Sequence, residues 1–238
     1  MGSDVISMVE VRRVKTGIKG LDKMLNGGIP ESNSVLLVGG PGTGKTSLCM
    51  EYLYHGAEEG ERGLFISLEE KPEKIINHTA LTFPEFVDLP AFIKKDMLGV
   101  IKIEKWSFEQ FIDTITVAVS QHKTKRCVID SLSVMELYFD KPYEFRKKLF
   151  DLMQFLSGMN CTTIITSELP SSESVKLEHP IAQFVADGVL ALYKLEKREK
   201  RVRALEILKM RGTPHSTDLV PIEITPNGIK VYEGEKVY

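Results

Sequence analysis

Gly39-Gly40-Pro41-Gly42-Thr43-Gly44-Lys45-Thr46 is the stretch on which the fold turns. It satisfies the pattern G-x-x-x-x-G-K-[ST] in full, and its flanks fit the pattern as well. Ser34-Val35-Leu36-Leu37-Val38 precedes it as a short apolar run bounded by breakers, as a buried parallel strand would be. A helix is predicted from Lys45 to about Glu59. A glycine-rich turn between strand and helix points its amides inward and adds the positive end of the helix dipole, so it cradles an anion of phosphate size. Lys45 would reach the β/γ-phosphates, and the Thr46 hydroxyl is a hard oxygen suited to Mg²⁺. The expected ligand is ATP with Mg²⁺, held by Gly40, Pro41, Gly42, Thr43, Gly44, Lys45, Thr46 and Ser47.

Outward from this loop, strand and helix signals alternate. Gly63 to Leu68 reads as a strand, and Pro72 opens a helix to about Thr82 because a first-turn proline sacrifices no hydrogen bond. Ser107-Phe108-Glu109-Gln110 is a capping box, followed by Phe108, Phe111, Ile112, Ile115 and Val119 at helical spacing. Trp106 is expected to pack at this helix entry. Cys127-Val128-Ile129 leads as a strand into Asp130, a helix begins near Pro142, and Thr162 to Thr166 is the next strand. From Asp187 onward consecutive extended runs replace the alternation, with a charged turn between Tyr193 and Ala204. The pattern predicts an α/β fold: a mostly parallel central sheet, helices on both faces, and an antiparallel C-terminal hairpin extension at one edge.

The 238 residues, 42% hydrophobic and 27% charged, suit one globular domain over 1–238, with residues 1–14 as a flexible lead. A net charge of −2 supplies no global field for nucleic acid or an anionic membrane. The basic run from Lys194 to Arg203 reads as a solvated hairpin tip, balanced by Glu196 and Glu199, so a nucleic acid partner is not expected. No apolar stretch approaches the ~20 residues of a membrane span. Without a secretory apolar segment near the start, a cytoplasmic protein is expected. Cys49, Cys127 and Cys161 read as small buried apolar residues.

Asp130 closes an apolar strand where phosphate-loop enzymes place the acid that holds Mg²⁺ through water. The bland alternative is a helix cap. Glu69-Glu70 follows the second strand directly, which puts a carboxylate at the carboxyl edge of the sheet, where ligands bind in open α/β folds. Position alone leaves two readings open, a base that activates water and an ordinary solvated pair. Ser167 and Glu168, at the end of the strand beginning near Cys161, are placed to sense the terminal phosphate.

Several segments together resemble the KaiC branch of the RecA-like ATPases, over nearly the whole chain from Thr16 to Tyr232. They are Thr16-Gly17-Ile18-Lys19-Gly20-Leu21-Asp22, Gly27-Gly28-Ile29-Pro30, Glu69-Glu70, Asp130-Ser131-Leu132-Ser133 and, most specific, Lys209-Met210-Arg211-Gly212-Thr213-Pro214-His215. The resemblance implies a RecA-like P-loop fold with Glu69, Glu70 and Lys45 catalytic. It also implies that the last segment, through Lys209, Met210, Arg211, Thr213 and His215, reaches a neighbouring subunit's ATP. Lys209 and Arg211 would then act on that γ-phosphate, and the active unit would be a homo-oligomer, a hexameric ring. The implied function is a slow regulatory ATPase whose nucleotide state is read by a partner protein. The other readings are a weakly catalytic nucleotide-binding scaffold and a recombinase-like DNA-dependent ATPase. The two-domain clock protein of this family has an autophosphorylated Ser-Thr pair where Gln183 and Phe184 stand here, so self-phosphorylation there is not expected. Pro226 likewise replaces an acid near the adenosine.

Overall fold

The computed structural model describes residues 11–104, 107–169, 180–197 and 200–237. Trp106, the tip of the basic run and most of the N-terminal lead lie outside them. In chain order the elements are β1 (Arg13–Val14), α1 (Leu21–Met24), β2 (Ile29–Pro30), β3 (Ser34–Gly39), α2 (Lys45–Glu58), β4 (Gly63–Ser67), α3 (Pro72–Thr82), α4 (Leu89–Lys94), β5 (Leu98–Lys102) and α5 (Phe108–His122). There follow β6 (Arg126–Asp130), α6 (Leu132–Glu136), α7 (Pro142–Gly158), β7 (Thr162–Glu168), α8 (Pro180–Val185), β8 (Gly188–Lys197), β9 (Lys200–Met210), β10 (Val220–Thr225) and β11 (Gly228–Val231).

The main sheet has nine strands in the order β11-β10-β9-β8-β3-β7-β6-β4-β5. From β8 to β5 every neighbouring pair is parallel, and from β8 to β11 every pair is antiparallel. This is the expected parallel sheet with an antiparallel extension. Alternation along β3 shows how it is sandwiched. Val35 and Leu37 belong to the core that contains α2 residues Leu48, Tyr52 and Leu53, whereas Leu36 and Val38 join the opposite core with Leu149, Leu152 and Leu156 of α7. The capping box of α5 is formed, with Ser107 N donating to Gln110 Oε1 at 3.0 Å and Gln110 N donating back to Ser107 Oγ at 3.3 Å.

Three details differ from the sequence reading. Strand β5 was absent from it, because five residues with a glycine at the second position and only Leu98 fully buried give a sheet edge little apolar signal. The charged turn is mostly strand: β8 and β9 stay in register out to Lys197 opposite Lys200. Tyr193 and Leu195 alternate inward there while Glu196 faces solvent, so the basic run has a half-buried period of two. Finally, Arg13 and Val14, at the end of the predicted flexible lead, pair with β2, and the Arg13 guanidinium donates to Gly28 O at 3.1 Å and to Thr213 Oγ1 at 2.8 Å.

Candidate active site

The phosphate loop leaves the carboxyl end of β3, near the middle of the sheet. Two glycines there have no substitute. A Cβ on Gly39 would lie 2.7 Å from Thr43 Oγ1 and 2.8 Å from Leu192 O, and Gly44, the N-cap of α2, has φ +106°. Inside the loop Thr43 Oγ1 donates to Gly40 O at 2.9 Å, so these two residues hold its shape. Lys45 folds back over it and donates to Gly39 O at 2.8 Å and Gly40 O at 3.3 Å. Burial pulls the Lys45 ammonium below its ordinary pKa, against the opposing carboxylates of Glu168 and Asp130.

Strands β6, β7 and β4 bring the acids alongside. Thr46 Oγ1 donates to Asp130 Oδ2 at 3.1 Å, and Thr166 Oγ1 donates to Asp130 Oδ1. Burial pushes the Asp130 carboxyl up from its ordinary value, and the two hydroxyls oppose that shift. At the end of β4, Ser67 Oγ accepts the amides of Glu69 at 3.3 Å and Glu70 at 2.9 Å, which turns the chain so that both glutamates border the loop. Their surroundings then diverge. Glu69 Oε1 accepts from Ser131 Oγ at 3.2 Å, and burial followed by the charge of Glu168 raises its pKa. Glu70 is drawn outward into an ion pair with Lys74, one helical turn on.

These groups enclose a cleft of about 380 Å³, bounded by Pro41, Gly42, Gly44 to Ser47, Ser67, Glu69, Glu70, Asp130, Ser131 and Glu168. Of the two residues expected at the end of β7, Glu168 lines the cleft and Ser167 is buried away from it. Sequence reasoning assigned no role to Ser67, Ser131 or Thr166. The only local signal was a serine closing a strand two residues before a carboxylate, a spacing that allows its hydroxyl to cap the following amides.

The Lys209 segment lies elsewhere. Leu192 of β8 sits beside Gly39, but Met210 pairs with Gly188, which sits beside Val35 at the opposite end of β3. Four strand residues put the segment ~13 Å from its own loop along the sheet. Arg211 lies just past the strand: β9 ends at Met210, and Arg211 begins a turn with Gly212 at φ +67°. Alternation therefore does not set its direction. The two cations nevertheless converge on the end of α8. Lys209 Nζ donates to Gln183 O at 3.0 Å and to Ala186 O, while Arg211 pairs with Asp187 Oδ1 at 3.2 Å and donates to Phe184 O at 3.2 Å. Met210 is buried, Thr213 receives Arg13, and His215 Nδ1 lies 2.8 Å from Ser216 O.

Among the described residues no helix is long and apolar enough to cross a membrane, and no group of three or more His, Cys, Asp or Glu is arranged to hold a metal by itself.

Comparison with known proteins gives the same family by three routes. The family profile described as "ATPase: KaiC" matches residues 14–236. A UPF0273 protein of Methanopyrus kandleri is 38% identical over 242 residues, covering 96% of this chain and 94% of that protein. The circadian clock oscillator protein KaiC of Prochlorococcus marinus is 32% identical over 235 residues, and the match spans 94% of this chain but 46% of the clock protein. The crystal structure of a KaiC-like protein from Pyrococcus horikoshii superposes with a TM-score of 0.83 at 39% identity, covering 93% of this chain and 99% of that one. The chain belongs to the KaiC family of ATPases, with the RecA-like α/β fold that its sheet order displays.

Proposed function

We infer that this chain binds ATP with Mg²⁺ in the cleft and hydrolyses the β–γ phosphoanhydride. The observation that carries the reading is the convergence of Lys45, Thr46, Asp130 and Glu69, from three separate elements, on one 380 Å³ cleft. The amides of Gly40 and of Gly42 to Ser47 hold the phosphates and Lys45 offsets their charge, leaving its loop carbonyls as the nucleotide arrives. The donor set fits Mg²⁺: a hydroxyl and a carboxylate, both hard oxygens, joined at 3.1 Å. Thr46 would hold the ion directly and Asp130 through water. When bound, Mg²⁺ neutralises charge that builds on the β- and γ-oxygens.

Glu69 is the stronger candidate base of the pair, because Ser131 orients it and Glu70 is diverted to Lys74. Its carboxylate takes the proton of a water as that oxygen bonds to the γ-phosphorus. The β–γ bridging P–O bond then breaks, and ADP and inorganic phosphate result. By likeness to the family, Lys209 and Arg211 act in trans in a hexameric ring, and their distance from their own loop supports that. A second reading has its own support: both cations pin the 183–187 turn through its carbonyls, a structural role complete within one chain. The ring would work in the cytoplasm as a slow switch whose nucleotide state a partner protein reads.

Phosphate release and nucleotide binding by wild type and Lys45→Ala test the site. The variant should lose both, and wild-type turnover in it would remove the cleft from consideration.

A further inference from the structure

The β8–β9 hairpin carries two cations back over the phosphate loop of its own chain. Leu192 sits beside Gly39, so the residues after it project beyond the carboxyl end of β3. Lys194 and Arg203 are directly opposed in the antiparallel register, and paired residues place their side chains on one face. It is the face on which Leu192 and Leu205 meet the core of α2, continued past the end of that core. Arg203 Nε donates to Gly42 O at 3.2 Å, and Lys194 Nζ lies 4.0 Å from the point a Cβ on Gly42 would occupy. Arg203 is thereby tied to the loop. Lys194 has no hydrogen-bond or ion-pair partner among the described residues.

The charges around the cleft give this placement a use. Glu69, Glu70, Asp130 and Glu168 line it, and among the described residues Lys45 is the one cation in its wall. A bound triphosphate adds further negative charge. Gly42 borders the cleft together with Pro41 and Lys45, so a cation beside it is within reach of the phosphate oxygens of a nucleotide bound there. A lysine ammonium on a four-carbon stem can swing onto such an oxygen, whereas the planar fork of Arg203 suits holding a fixed carbonyl.

We propose that Lys194 is an ATP-binding residue supplied in cis, its ammonium donating to the terminal phosphate, and that Arg203 is a positioning residue that fixes the Gly42 peptide and the hairpin for it. This rests on the cleft being a nucleoside triphosphate site. It is separate from any contribution of a neighbouring subunit, and it gives the basic run a function in place of a merely solvated tip.

The test is equilibrium binding of MgATP and MgADP, by calorimetry, to full-length protein carrying Glu69→Gln to prevent turnover. Adding Lys194→Met should weaken ATP on the order of tenfold, as loss of one charge-assisted hydrogen bond does, and leave ADP nearly unchanged. Lys194→Arg should restore most of the ATP affinity, and Arg203→Gln should weaken both nucleotides because the loop itself loosens. Equal loss for ATP and ADP in Lys194→Met, or no loss for either, overturns the assignment while leaving the cleft as the nucleotide site. Failure of the parent protein to bind either nucleotide would overturn the cleft reading and this one together.

Discussion

Thr46 Oγ1 donates to Asp130 Oδ2 at 3.1 Å across 84 residues of sequence. The hydroxyl comes from the first turn of α2 and the carboxylate from the end of β6, two places along the sheet from β3, and β7 between them supplies Thr166 to the other carboxylate oxygen. Asp130 is thus oriented from both sides by hydroxyls of its own chain.

Asp130→Asn keeps the size of the side chain and removes its charge. Outer-shell partners of a metal contribute 10–100-fold to its affinity, so the Mg²⁺ midpoint of ATP turnover should rise by about that factor. Titration of turnover against Mg²⁺ measures it, and an unmoved midpoint would reduce Asp130 to a structural tie between Thr46 and Thr166.

The two glutamates should separate. Glu69→Gln should slow hydrolysis on the order of 10²–10⁴-fold, the usual worth of a positioned base, with ATP binding largely kept; Glu70→Gln should cost less. Glu69 must be ionised to act, and burial together with the charge of Glu168 raises its pKa. Turnover therefore fails on acidification at a higher pH than an ordinary carboxylate would dictate. Glu168→Gln removes one raising charge, so the acid limb of the kcat profile should move to lower pH. A limb that moves upward, or stays in place, assigns water activation to another group.

Arg211 is decided by mixing. Its loss should cost ~10³ in turnover if it acts as a finger in trans. Arg211→Ala subunits should regain partial activity with Glu69→Gln/Glu70→Gln subunits, since a mixed boundary unites one intact base with one intact finger. Dead mixtures in which light scattering confirms subunit exchange would favour the role of pinning the 183–187 turn.

A buried polar clamp makes stability depend on pH. Glu51 Oε2 accepts the Ile229 amide at 2.7 Å and so ties the β10–β11 turn to α2, while His55 faces Glu51 at 3.6 Å through Nε2 and Glu58 at 2.6 Å through Nδ1. Burial disfavours the His55 imidazolium, but hydrogen bonds to Glu51 and Glu58 outweigh it and its pKa is raised. A raised folded-state value means the stabilisation is complete below the unfolded value of 6.5 and is lost as pH rises through the folded one. Burial raises Glu51 as well, with the same sign at more acidic pH. Tm should therefore fall as pH climbs above 6.5, and His55→Gln should flatten that slope. Thermal melts across the range check this, and an equally steep slope in the variant would exclude His55 as its source.

The eight residues from Gly39 to Thr46, the apolar run before them and the helical period after them determined the phosphate loop and the α/β class. Those signals are local: glycine tolerance, hydrogen-bond direction and side-chain alternation act within a few residues. The antiparallel edge was legible for the same reason, since consecutive strands with no helix between them can only pair as hairpins. Tertiary structure decided the rest. Which glutamate is oriented depends on Ser131, which follows β6 and has no trace in the sequence around Glu69, whereas the pairing of Glu70 with Lys74 is a local spacing of four residues. That Lys209 and Arg211 stand at the far end of the sheet from their own loop follows from the strand register of β8 on β3 and β9 on β8. The same register lays Lys194 and Arg203 over Gly42. Position along a strand is visible in sequence; which end of a neighbouring strand it meets is set by packing across the whole sheet, where burial on both faces selects one register among many that local propensity allows.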